Sequence, residues 1–182
     1  IASTVGLQKK TGIRWSGVII SPDGWVATCA HGGNMPGDLV ELELSDGRRA
    51  GAKVTGVNPI TDIALIKIED EGPWPFAELS DNSDLKPDTP CWFVGYPAEH
   101  ESRVPLVRKT SIVHPDGSEG CLLYTDAAYS QSGGDSGGGV FDMSGRLLGL
   151  NQGKEPDAPG RHPRIETLRL QWNSLADPAF LK

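Results

Sequence analysis

Residues 134–150 read GDSGGGVFDMSGRLLGL, and the residues after the serine decide which fold can hold it. The first five residues satisfy G-x-S-x-G. That pattern marks a sharp strand-to-helix turn presenting a serine nucleophile, with an acid and then a histidine further along the chain. Here Ser136 is followed by a glycine run, strand-like GVFDM, a turn at Met143-Ser144-Gly145 and strand-like RLLGL. The one later histidine is His162, in the polar RHPR. The context is β rather than α/β, so a base for Ser136 has to come from upstream. Nothing in SQSGGDSGGG (130–139) is large enough to pack a core. Glycine in such a stretch provides either slack or positive φ and close backbone approach.

Outward from that stretch, short segments of alternating or β-branched character recur, each closed by Gly, Pro, Asp or Asn. They are STVGLQK, IRWSGVII, GWVATCA, LVELEL, AKVTGV, DIALIKI, CWFVGY, PLVRKTSIV, CLLYTDA, GVFDM and RLLGLNQ. This is the pattern of an all-β barrel or sandwich. Turn chemistry lies between them in SPDG (21–24), SDG (45–47) and PDG (115–117). Residues 79–90, LSDNSDLKPDTP, divide the segments into two sets and read as a connection between lobes. Near the C-terminus Ile165, Leu168, Trp172 and Leu175 fall at helical spacing before Asp177-Pro178. A short helix over about 164–176 is expected there, packed on the second lobe.

The 182 residues carry a formal net charge of −7 with scattered basic pairs, which disfavours a nucleic-acid partner. They contain no membrane span and no signal sequence. An export signal, an anchor or a PDZ-type domain would have to lie beyond them. Cys29, Cys91 and Cys121 are too few and too far apart for a disulfide framework or a metal knuckle, and are expected as buried or partly buried thiols.

A serine hydroxyl is a poor nucleophile near neutral pH and needs a base, which in turn needs a carboxylate to orient it. His100, His114 and His162 sit among charged or turn residues and read as solvated. His31 closes the apolar WVATCA, where a strand hands over to a turn. Asp62 stands at the head of apolar IALIKI, a carboxylate about to enter a buried environment. Singly each is an ordinary strand-end residue. Together they give the order His, Asp, Ser on separate elements. An unperturbed histidine base would make activity rise with pH near ~6.5.

With those residues in place, the chain resembles a chymotrypsin-fold (trypsin-like) serine protease, closest to the bacterial HtrA/Deg branch. SGVIISPDGWVATCAHGG resembles its histidine motif, TDIALIKI its aspartate motif and TDAAYSQSGGDSGGGVF its serine motif, over most of residues 3–153. The resemblance implies two antiparallel six-stranded β-barrels, one in residues 1–80 and one in 91–182, joined through 81–90. It gives His31 as general base, Asp62 as its orienter and Ser136 as nucleophile, with the Gly134 and Ser136 amides as oxyanion hole. Ser130 would lie at the base of the specificity pocket, and Gln152, Gly153 and Lys154 would present the edge to which substrate backbone adds. The implied substrates are proteins or peptides, no cofactor or metal is required, and an extracytoplasmic location is favoured.

The chain also departs from the Deg-like pattern. Asp135 stands where asparagine is usual; in the digestive branch that aspartate pairs with a newly exposed N-terminus, a pairing with Ile1 not expected here because strand-like sequence begins almost at once. Gly139 replaces a proline, Gly32-Gly33 follows the histidine, and YSQSG lengthens the loop before GDSGG by two residues. The lengthened loop keeps open a protease-fold module that binds peptides without cleaving them. A serine esterase with the same three residues is a further alternative.

Overall fold

In LVELE, Val40 and Leu42 are buried while Leu39 and Glu41 are exposed, the period of two that gives a strand one core face and one solvent face. The structure is a computed structural model describing residues 1–98, 104–116, 121–126, 133–153 and 158–177. Six strands form its first half, of which β4 and β5 alternate in this way and the others are buried over most of their length: β1 (Thr4–Gln8), β2 (Arg14–Ile19), β3 (Trp25–Cys29), β4 (Leu39–Glu43), β5 (Arg49–Asn58) and β6 (Ile63–Ile68). They close into an antiparallel barrel in the order β1-β2-β3-β6-β5-β4, with β4 returning to β1. Val5, Leu7, Trp15, Val26, Leu42 and Ile66 fill it.

The chain crosses over in residues 69–89 to a second sheet of β7 (Pro90–Gly95), β8 (Leu106–His114), β9 (Leu122–Thr125), β10 (Gly139–Phe141), β11 (Leu147–Leu150) and β12 (Gly160–Pro163). Its order is β11-β10-β7-β8-β9-β12. The sheet curls into a half-barrel whose edges meet through isolated bridges, Gly149 with Arg164 and Gly153 with Arg161. The architecture is that of a chymotrypsin-like double barrel, with only the first barrel continuously hydrogen-bonded among the described residues.

Three expectations need correction. The helix α1 (Ile165–Ala176) does not pack on the second lobe alone. Ile165 and Leu168 join Leu147 and Leu150, while Trp172 meets Trp25 of β3 edge-on at 5.3 Å and Gln171 accepts from Thr61 Oγ1 at 2.9 Å. Gly56 permits this: a Cβ there would lie 2.3 Å from the Leu175 carbonyl oxygen, so only glycine lets the helix backbone reach β5. The helix therefore ties both halves together. Second, GRHP forms a strand, and His162 within it is fully buried rather than solvated. It is tolerated there because Nε2 meets Thr125 Oγ1 at 2.8 Å, on the strand that β12 pairs with. Third, Cys29 and Cys91 are buried but Cys121 is exposed; it precedes β9 in a bend, outside the strand's inward alternation. His114 is exposed as expected, and His100 lies outside the described residues.

Candidate active site

Strand register builds the first half of the site. β3 and β6 are antiparallel, with Cys29 opposite Ile63, so the residues just after one strand face those just before the other. His31 and Asp62 occupy those positions. Asp62 Oδ2 accepts from His31 Nδ1 at 2.7 Å, while Oδ1 accepts from the Ala30 and His31 amides at 2.9 and 2.8 Å. These bonds hold Asp62 at φ 57, a left-handed conformation that costs a side-chain-bearing residue on the order of 1 kcal/mol or more. The carboxylate is 5 % exposed. Bonded to Nδ1, it raises the His31 pKa above its ordinary 6.5, with Cys29 acting in the same direction. The inflection expected near 6.5 from the sequence therefore moves upward.

A carboxylate at Nδ1 can only accept, so a neutral His31 carries its proton on that nitrogen and leaves Nε2 as acceptor. Nε2 lies 2.9 Å from Ser136 Oγ. Ser136 comes from the second half, in the loop before β10, and the loop is pinned to β2 of the first barrel. The Ser16 amide donates to the Ser136 carbonyl at 2.8 Å, and Ser16 Oγ donates to the Gly134 carbonyl at 2.6 Å while accepting from the Tyr96 amide at 2.8 Å. Gly137, at φ 79, allows the close approach: a Cβ there would sit 2.2 Å from the Ser16 carbonyl oxygen. The sequence pattern does not single out Ser16. Its one signal is a hydroxyl in the middle of an apolar strand, RWSGVI.

The carbonyl of Gly133 accepts from the Ala98 amide at 2.6 Å, which turns the Gly134 amide of the same peptide unit the other way. Among the described residues neither the Gly134 nor the Ser136 amide has a hydrogen-bond acceptor. Between them, Asp135 is wholly buried and pairs with Arg108, Nη2 to Oδ2 at 3.1 Å. Ile1 is 63 % exposed, so the digestive-type pairing with the N-terminus is not made.

Beside the imidazole a cavity of about 300 Å³ is lined by His31, Met35, Pro36, Val57 and Pro59. The Gln152 amide donates to the Arg161 carbonyl and the Gly153 carbonyl accepts from the Arg161 amide, both at 3.0 Å, which ties that segment to β12. Ser130 and Lys154 lie outside the described residues. No group of three or more His, Cys, Asp or Glu side chains converges among the described residues.

A family model described as "Trypsin-like peptidase domain" matches residues 15–150. A protein of Marinomonas sp. (strain MWYL1) named "Probable periplasmic serine endoprotease DegP-like" is 34% identical over 139 residues, 75% of this chain and 29% of that protein. A protein of the same name from Pseudomonas putida (strain GB-1) is 33% identical over 146 residues, 79% of this chain and 30% of that one. The chain thus spans under a third of the length of these two relatives. A crystal structure of the serine endoprotease from Yersinia pestis superposes with a TM-score of 0.83 at 24% identity, covering 96% of this chain and 63% of that one, a likeness of fold.

Proposed function

Because the chain belongs to the trypsin-like peptidase domain family, we propose that it is a serine endopeptidase that cleaves proteins or peptides through an acyl-enzyme, in an extracytoplasmic compartment. The observation that carries the reading is His31 between Asp62 and Ser136, at 2.7 and 2.9 Å. Ser136 Oγ attacks the peptide carbonyl as its proton passes to His31 Nε2. Asp62 holds the ring and offsets the charge of the imidazolium. The imidazolium then protonates the leaving amine, and a water repeats the sequence on the ester to release the acid. The Gly134 and Ser136 amides take the oxyanion. Losing one such donor costs ~2.7–4 kcal/mol of transition-state stabilisation. No step calls for a cofactor. The DegP-like, periplasmic names of the two relatives support the compartment and the class of substrate. No helix among the described residues is long and apolar enough to cross a membrane.

The test is a fluorophosphonate probe with intact-mass readout. One equivalent adds to the native protein and none to Ser136→Ala, and casein is cut by the first alone. A native chain that neither labels nor cuts casein over a day would leave a peptide-binding module in place of an enzyme. Labelling with turnover of esters but not of peptides would make it an esterase.

A further inference from the structure

Asp135 is the residue between the two amides assigned to the oxyanion, and it is held from two sides. Its carbonyl accepts from the Gly138 amide at 3.0 Å and from Asn151 Nδ2 at 3.2 Å. Its carboxylate enters a slot in β7 and meets the guanidinium of Arg108 on β8, with Nη1 to Oδ1 at 3.2 Å and Nη2 to Oδ2 at 3.1 Å. The slot exists because residue 95 is glycine: a Cβ there would stand 2.6 Å from Asp135 Oδ1. Arg108 is directed by register, opposite Phe93, with its guanidinium carbon 5.3 Å from the Phe93 ring centre. Its side chain is 15% exposed and that of Asp135 1%. A planar fork on a carboxylate fixes orientation as well as distance.

We propose that Arg108 is a positioning residue for the oxyanion amides: its two-pronged pair with Asp135 sets the peptide unit that carries the Ser136 amide directly, and the unit that carries the Gly134 amide through the one peptide between them. The proposal rests on the endopeptidase reading and deepens it. A buried carboxylate deprived of its cation seeks water or a proton. When its side chain leaves the slot, Asp135 loses the anchor that Arg108 supplies, and the Ser136 amide, in the same peptide unit as the Asp135 carbonyl, and the Gly134 amide, one unit further, lose part of what fixes them. The cation comes from a strand of the same sheet, so the loop needs no free amino terminus to hold its shape, and residues added before Ile1 leave turnover unchanged.

The experiment compares Arg108→Gln, Arg108→Lys, Asp135→Asn and the double variant Arg108→Gln/Asp135→Asn with the native protein. Arg108→Gln is expected to lower kcat about a hundredfold with KM nearly unchanged, the signature of a contact made in the transition state. Affinity for a peptide aldehyde, which presents an oxyanion, falls in parallel. Arg108→Lys regains about a tenth of native activity or more, and the double variant exceeds Arg108→Gln because the buried charge that Arg108 offset is removed with it. Should Arg108→Gln fail to fold, the lysine and double variants carry the same comparison. Amide resonances of Gly134 and Ser136 give a readout free of turnover: they move in Arg108→Gln, while those of Gly24 and Gly47 in the first barrel stay. Unmoved amides, or kcat within about threefold of native, overturn the proposal. A native protein inert to phosphonate would overturn the endopeptidase reading, and the amide shifts would still decide the role of Arg108.

Discussion

The two halves of the molecule hold their parts of the site by different means. In the first, His31 and Asp62 are neighbours because β3 and β6 are in register, and the barrel around them is closed. In the second, Ser136 lies on a loop between β9 and β10, held by Ser16, Arg108 and Asn151. A backbone ladder spreads its strength over many bonds, and no single side chain can undo it. A loop on tethers responds to each one. His31 and Asp62 are thus built into the scaffold, whereas Ser136 and the Gly134 amide are open to adjustment by single residues.

The sharpest way to break that comparison is chemical rather than structural. Asp62→Asn should leave the barrel folded, since an amide oxygen can still accept from the Ala30 and His31 amides. The rate should nonetheless fall about 10⁴-fold, because an amide group at Nδ1 favours the wrong tautomer. The pH profile gives the sign. Asp62 raises the His31 pKa above 6.5, so native kcat/KM climbs with pH through that raised value, and in Asp62→Asn the climb moves down towards 6.5. An inflection that stays in place would mean that Asp62 does not govern the base.

A smaller effect tests the tethers. Ser16→Ala removes a hydroxyl bonded to both the Gly134 carbonyl and the Tyr96 amide, in a residue with no exposed surface. Leaving those groups unsatisfied should cost about 1–3 kcal/mol, read as a lower urea midpoint. If half of that falls on the loop geometry, kcat drops about two- to twelvefold. The His31–Asp62 pair should be untouched, so the pH inflection stays. A shift of that inflection would show that the two halves are less separable than their construction implies.

The same division explains what is legible in the sequence. His31 and Asp62 are legible because strand ends are marked by local pattern, and Ser136 because glycines crowd a turn that passes close to other backbone. Ser16 and Arg108 are not, because their partners lie 118 and 27 residues away and no local rule signals them. In the sequence Arg108 looks like half of a surface basic pair with Lys109. Asp135 is visible as an anomaly, but its partner has to come from the sheet. β12 escapes for a related reason. GRHP has no apolar alternation, and its burial rests on His162 meeting Thr125 from β9.

His162 gives the mildest test, because it sets the two halves against each other in pH. Burial pushes its pKa from 6.5 down to about 3, so in the folded protein the ring stays neutral over a range in which the unfolded chain takes up a proton. Its contribution to stability is full above pH 6.5 and is lost as pH falls towards 3, at most about 1.4 kcal/mol per pH unit. His31 works in the opposite sense. Its raised pKa makes the Asp62 pair stabilising below pH 6.5, and that contribution fades as pH climbs through the raised value. The native urea midpoint should therefore fall relative to that of His162→Gln as pH drops from 6.5 to 4, whatever offset glutamine introduces at neutral pH, since carboxylates common to both cancel. Parallel curves over that interval would mean that the second half opens to admit a proton at His162 without unfolding. A half-barrel whose edges, among the described residues, meet at isolated bridges could open in this way, while the closed barrel that carries His31 at a strand end could not.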